Sequence, residues 1–88
     1  MTEPAASESF KLLFVDDELE FLATIKEFFD ELGFEVYTAH NGQDALLKIK
    51  EFRPNAVFLD ISMPHMDGTE TLRLISEIDE RILVVVVS

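Results

Sequence analysis

Two short runs in this chain, residues 12–15 and 56–59, are apolar at successive rather than alternate positions, and both run straight into acid: Asp16 and Asp17 after the first, Asp60 after the second. Uninterrupted apolar runs of strand length suit strands covered on both faces, as in a parallel sheet with helices on either side. Laid side by side, two such strands bring three carboxylates to one sheet edge. Like charges that close each resist ionising unless a cation joins them. A hard divalent ion with oxygen ligands answers that need, and Mg²⁺ held by carboxylates and waters is the form that also recruits phosphate. The pattern points to a metal-assisted phosphoryl site on an α/β frame.

The rest of the chain alternates strand and helix signals. Residues 1–9 are rich in Ala, Ser, Glu and Pro, too polar to offset the entropy of ordering, and are expected to form a disordered N-terminal tail. After the first strand, Leu22, Ile25, Phe29 and Leu32 recur at helical spacing, Phe21 and Phe28 widen the stripe, and Gly33 offers a C-cap. Residues 34–39, with β-prone Val36 and Tyr37, predict a second and more exposed strand. Asn41, with Asp44 three residues on, predicts the start of a second helix, whose core face carries Ala45, Leu46 and Ile49 and which Arg53, Pro54 and Asn55 stop. Asp67 and Glu70 stand at the capping-box spacing before a third helix with Leu72, Ile75 and Ile78 on one side. Residues 82–87 predict a fourth strand. Strand and helix in alternation argue an open parallel sheet with right-handed crossovers, and such sheets bind ligands beyond the carboxyl ends of their strands. Asp16, Asp17, Asp60 and Ser88 all fall at such ends.

Composition narrows the function classes. With 88 residues, 48% apolar and eight of them Phe, there is room for one core and no second domain. The absence of cysteine removes disulfides, thiolate chemistry and cysteine-ligated zinc. Seven basic against eighteen acidic residues leave a formal charge of -11, which repels nucleic acid and anionic membrane surfaces. No direct nucleic-acid or membrane contact is expected. The first ten residues lack the basic start and apolar stretch of a signal peptide, and residues 82–87 are far too short to span a bilayer, so a cytoplasmic location is expected.

In order and spacing, Asp16 and Asp17, then Asp60-Ile-Ser-Met-Pro64-His-Met-Asp-Gly68, then Ser88 make a combined pattern over residues 11–88. On these residues the chain resembles the receiver domain of two-component response regulators. The resemblance implies a flavodoxin-like α/β fold, an open parallel sheet of strand order 2-1-3-4-5. It implies that Asp60 accepts a phosphoryl group from a phosphohistidine on a sensor histidine kinase or phosphotransfer protein. Asp16, Asp17, Asp60 and the backbone carbonyl of Ser62 would hold Mg²⁺, and the Ser88 hydroxyl would bond the phosphoryl oxygens. The module is then a phosphoacceptor of a phosphorelay rather than an enzyme acting on an outside substrate.

Against that pattern, family members continue past the hydroxyl position with a helix, a fifth strand carrying a lysine, and a last helix. This sequence ends at Ser88, so the expectation is an incomplete receiver domain over residues 10–88, with strands 2-1-3-4 present and an output domain beyond residue 88 left open. None of Lys11, Lys26, Lys48 and Lys50 stands where the family lysine stands. As a sheet edge, the doubly apolar run at residues 82–87 would seek a partner, so self-association through the fourth strand is expected.

Simpler readings accompany each motif. Asp16 and Asp17 also suit a helix N-terminus without metal, Asp60 also suits a turn, and any strand can end in Ser. His40 and His65 have no ligand partners at zinc spacing. The phenylalanines at 21, 28 and 29 read as core, and the acids at 77–80 as a solvated helix end. Two rival functions stay open: a Mg²⁺-dependent phosphohydrolase with an aspartyl nucleophile, and an inactive fragment that self-associates as an assembly unit.

Overall fold

The apolar runs become strands and the periodic stretches helices. In the computed structural model, which describes residues 10–64 and 67–87, β1 (Lys11–Val15), α1 (Leu19–Glu31), β2 (Glu35–Ala39), α2 (Gly42–Phe52), β3 (Ala56–Asp60), α3 (Gly68–Ile78) and β4 (Leu83–Val87) follow in that order. The segment expected to be a disordered tail, residues 1–9, lies outside the described residues. All strand pairs are parallel and the sheet order is β2-β1-β3-β4, the flavodoxin-like arrangement. Val15 stands opposite both Ala39 and Leu59, so β1, β2 and β3 end close to level. That register sets the site.

Because successive strand residues point to opposite faces, each apolar run feeds two cores. Leu13, Val15, Val57 and Leu59 join Ala45 and Ile49 of α2 and Ile75 of α3 on one face. Leu12, Phe14 and Ala56 join Val36 and Leu22 of α1 on the other, where the Phe14 ring stacks on Phe58 with centroids 4.7 Å apart and on Phe29 at 5.3 Å. One face therefore carries two helices, and among the described residues the other carries one.

This asymmetry corrects the reading of α1. Leu22 is buried and Phe29 half-buried, but Phe21 is 47% and Phe28 55% exposed, and Leu32 is exposed as well. A single helix on a sheet face buries only the centre of its stripe, and the flanks of this wide one meet no second helix among the described residues.

Helix ends follow the sequence signals closely. Gly33, at φ +98°, donates its N–H to Asp30, and Phe34 donates to the carbonyl of Phe29, the paired bonds of a Schellman stop, with the Phe29 and Phe34 rings in contact behind them. The Asn41 side chain accepts from the Asp44 N–H at 2.7 Å, and Asp67 from Glu70 at 3.0 Å. Helix α2 stops at Arg53, which takes the left-handed conformation just before Pro54. Thr71 is the buried polar residue of α3, on the same side as Ile75. Among the described residues, no helix is long and apolar enough to cross a membrane.

A Cβ at Gly33 would meet nothing within 4 Å, so the cost of a side chain there is conformational alone. Gly33→Ala is expected to lower stability by about 1 kcal/mol, and Gly33→Asn by less because Asn tolerates the left-handed region. Urea unfolding of the three proteins checks the order, and an alanine variant as stable as the parent refutes it.

Candidate functional site

Asp16 follows β1 directly, and Asp60 is the last residue of β3. Their neighbours Val15 and Leu59 face the α2–α3 core, so by alternation Asp16 and Asp60 turn towards the α1 face at the carboxyl end of the sheet. The backbone continues the sheet pattern past the strand ends: the Asp16 N–H bonds the Ala39 carbonyl at 3.1 Å and the Ile61 N–H bonds Val87 at 3.0 Å. Rigid strands thus deliver both carboxylates. Asp17 adds a third from the turn into α1, and one carboxylate oxygen of each lies within 4.8 Å of those of the other two.

Each anchoring acid is braced by its own chain two residues on. Asp16 Oδ1 accepts the N–H of Glu18 at 2.9 Å. Asp60 Oδ1 accepts both the Ser62 N–H at 2.9 Å and the Ser62 hydroxyl at 2.6 Å. These are Asx-type turns, in which the side chain stands in for a backbone carbonyl. Oδ1 of Asp60 is thus doubly engaged by Ser62, and Oδ2 takes no bond from it.

The electrostatics separate the two acids. Burial pushes the Asp16 carboxyl up, and the negative charges of Asp60 and Asp17 add to the rise against the opposing Glu18 N–H. The Ser62 hydroxyl holds Asp60 below the usual carboxylate range, with the Ser62 N–H helping. Asp16 is therefore the easier of the two to protonate, and Asp60 the more firmly ionised. The donors are hard, anionic and all oxygen. That set suits Mg²⁺ or another hard divalent cation and no soft metal.

Around the acids lies an open cleft of about 370 Å³, walled by Phe14, Phe21 and Phe58, with Asp16, Asp60, Ser62 and Val87 at its rim. Sequence reading placed the Ser62 carbonyl here but missed its hydroxyl. The signal was present, since Ser two residues after Asp is a common turn partner. It also missed the phenylalanine wall, which depends on strand facing. Of the residues singled out beforehand, Asp16, Asp17, Asp60 and Ser62 come together, whereas Ser88, like His65, lies outside the described residues. His40 is away from the acids, within 3.5 Å of Asp44 on α2.

The residues just after Asp60 and at the start of α3 are held by packing. Met63 is buried in the two-helix core, and a Cβ at Gly68 would fall 2.8 Å from Ile61 Cγ2. Gly68 thus lets the start of α3 close against the residue between Asp60 and Ser62.

A parallel α/β sheet in 2-1-3-4 order, with an acid trio at its carboxyl edge and a carboxylate kept ionised on β3, defines a CheY-like module of the flavodoxin-like class. The family model for the response regulator receiver domain matches residues 12–88, and the chain belongs to that family. It is 37% identical over 78 residues to sporulation initiation phosphotransferase F of Bacillus subtilis, covering 89% of this chain and 63% of that protein. To the chemotaxis protein CheY of the same organism it is 39% identical over 79 residues, covering 89% and 66%. The chain thus spans somewhat less than two thirds of the length of both relatives. Among solved structures, the CheY-like receiver domain protein from Methanospirillum hungatei superposes with a TM-score of 0.83 at 28% identity, over 90% of this chain and 63% of that one. The CheX–CheY–BeF3–Mg complex from Borrelia burgdorferi matches at 0.77 and 35%, over 88% and 60%.

Two predictions follow from the local geometry. The folded state holds the Asp16 proton more tightly than the unfolded chain, so Asp16 favours folding at low pH and loses that contribution as pH rises through its raised pKa. Asp60 behaves oppositely, contributing above the ordinary carboxylate pKa and losing it as pH falls through its lowered one. Asp16→Asn is therefore expected to stabilise the metal-free protein at pH 7 and to gain nothing at acid pH, as read by urea melts at both. A loss of stability at pH 7 would contradict the assignment. Gly68→Ala should cost about 1–2 kcal/mol through overpacking against Ile61, since the atoms met belong to a β-branched side chain close to the backbone. Thermal unfolding measures it.

Proposed function

We propose that this chain is the phosphoacceptor module of a two-component phosphorelay, with Asp60 receiving a phosphoryl group from a phosphohistidine on a sensor histidine kinase or phosphotransfer protein. The observation that carries the reading is the convergence of the Asp16, Asp17 and Asp60 oxygens within 4.8 Å. Family membership supports it over a phosphohydrolase, because receiver domains are signalling modules.

In this reading Oδ2 of Asp60 forms the new bond to phosphorus while the bond from phosphorus to the histidine nitrogen breaks, giving an acyl phosphate. Ser62 orients the nucleophile: its hydroxyl and N–H fix Oδ1, so the carboxylate loses little rotational freedom on reacting. The low pKa of Asp60 keeps the attacking group anionic at neutral pH. Asp16, Asp17, Asp60 and the Ser62 carbonyl would hold Mg²⁺, in keeping with the all-oxygen donor set and with the ion named in the Borrelia complex. When bound, the ion supplies neutralisation of charge on the transferred oxygens. Asp16 and Asp17 also keep other anions away from the cleft until a cation is present.

We assign residues 10–88 to the receiver portion and place the module in the cytoplasm, where histidine-kinase domains present their phosphohistidine. It works as a signalling acceptor, not as a turnover enzyme, and Ser88 is the proposed hydroxyl contact to the phosphoryl oxygens.

Incubation with acetyl phosphate and Mg²⁺, followed by intact-mass measurement, tests the proposal. One added phosphoryl mass is expected on the parent, none on Asp60→Asn and none in excess chelator. A parent protein that gains no mass, or an Asp60→Asn variant that gains it equally, overturns the reading. In a Mg²⁺ titration, Asp16→Asn or Asp17→Asn should weaken binding by on the order of 10- to 100-fold, since each removes a charged oxygen ligand. Because Asp16 holds its proton more tightly than an ordinary aspartate, the affinity should fall with decreasing pH, starting above the usual carboxylate range.

A further inference from the structure

Strand β2 is the outer strand of this sheet, and it stays outermost in the family order 2-1-3-4-5, where the fifth strand adds beside β4. The Glu35 N–H donates to the Phe10 carbonyl at 2.9 Å and the Ala39 carbonyl accepts from Asp16 at 3.1 Å, so the odd-numbered residues of β2 bond towards β1. By alternation, Val36 and Thr38 turn their N–H and C=O groups to the outer edge. Val36, Tyr37 and Thr38 are β-branched or aromatic and favour extended chain. An edge of this kind is a template on which another strand can pair.

One side chain reaches that edge from α2. The Lys48 ammonium donates to the Thr38 carbonyl, and Asp44 Oδ2, one turn back on the same helix, lies 3.3 Å from it. Neither side chain is freely solvated, at 32% and 25% exposed. Asp44 is itself fixed at the start of α2, where its N–H donates to the Asn41 side chain at 2.7 Å. The neighbouring edge side chains are occupied with one another: Tyr37 donates its hydroxyl to Glu35 and stacks on Phe52 of α2 with centroids 4.1 Å apart. Among the described residues, Lys48 is the side chain that bonds the outward backbone of β2.

We propose that Lys48 guards this edge: its ammonium, seated on the Thr38 carbonyl, keeps β2 from pairing with β2 of a second copy of the chain. Pairing needs an incoming N–H to reach that carbonyl, and there it meets an ammonium, which has three donors and no acceptor. In an antiparallel pair with its two-fold axis at Tyr37, Val36 of each copy stands opposite Thr38 of the other and the two exchange both hydrogen bonds. That self-complementary register uses the Thr38 carbonyl of both copies, so two lysines must leave their carbonyl and their Asp44 partner together. The bond given up has a charged donor, and the amide bond that replaces it does not. With the ammonium removed, the edge keeps its β-prone residues and loses the group that blocks them.

Lys48→Met keeps the apolar stem and removes the donors, and Lys48→Ala removes both; each is a good helix former, so circular dichroism should report an unchanged fold. Amide hydrogen exchange read by NMR, in salt enough to screen the formal charge of -11, locates any pairing, because the Val36 and Thr38 N–H groups point outward from the sheet. In both variants these two amides are expected to exchange at least tenfold more slowly at millimolar than at micromolar concentration. In the parent, and in Lys48→Arg, which keeps a charged donor, their rates should not depend on concentration. Rates independent of concentration in both neutral variants would leave Lys48 as a helix ion pair with Asp44 and overturn the proposal. Equal protection in the parent or in Lys48→Arg overturns it as well, and so does protection that appears in β4 while Val36 and Thr38 stay open.

Discussion

The arrangement depends on three like charges held together where β1 and β3 end level. Two carboxylates about 4.8 Å apart repel by about 1 kcal/mol in water and about 3.5 kcal/mol at the effective dielectric of a protein surface. The strands cannot relax this by sliding, because a one-residue shift in a parallel pair would turn Leu13, Val15, Val57 and Leu59 out of the core they fill. Burial of those four side chains, at about 1.5–3 kcal/mol each, exceeds the repulsion of any one pair. The acids stay crowded because the core beneath them fixes the register, and a crowded, all-oxygen, anionic site has a lasting affinity for a hard cation.

Around that fixed point the two faces of the sheet differ. On one side α2 and α3 close over a core that includes Met63 from the loop after Asp60. On the other, α1 is the helix that, among the described residues, covers a wall of phenylalanines running from the cleft towards β4. Asp60 faces the more open side, beside the cleft. Its bracing comes from the more closed side, through Ser62, Met63 and the contact of Ile61 with Gly68. Access and rigidity are thus assigned to opposite faces of one sheet.

Most of this was legible in the sequence because it rests on local rules. Uninterrupted apolar runs named the buried strands, acids at their ends named the residues that cluster at the sheet edge, and Asn41, Asp67 and Gly33 named helix ends that formed as their side chains or backbone freedom dictate. What could not be read is tertiary in origin. A run apolar at every position does not say which residues face which helix, so the stacking of Phe14 on Phe58 and the wall it builds were hidden. The six-residue apolar stripe of α1 does not say which of its positions the sheet covers, and among the described residues Phe21 and Phe28 prove exposed. The Ser62 hydroxyl was within reach of sequence logic, but a two-residue turn signal is faint beside a motif that already gives its residues other tasks.

The bracing of Asp60 also indicates how a change at that residue would travel. The two bonds from Ser62 to Oδ1 lower the charge density that any newcomer to the cleft can use, so a group bonding Asp60 must compete with Ser62 or leave Oδ1 alone and take Oδ2. Ile61, bonded in sequence to Ser62, is also the residue against which Gly68 at the start of α3 lies. Helix α3 in turn shares its core with α2 through Ile75 and Ile49. Ser62, Ile61, the start of α3 and the core shared by Ile75 and Ile49 thus lie in sequence between Asp60 and the far face of the sheet.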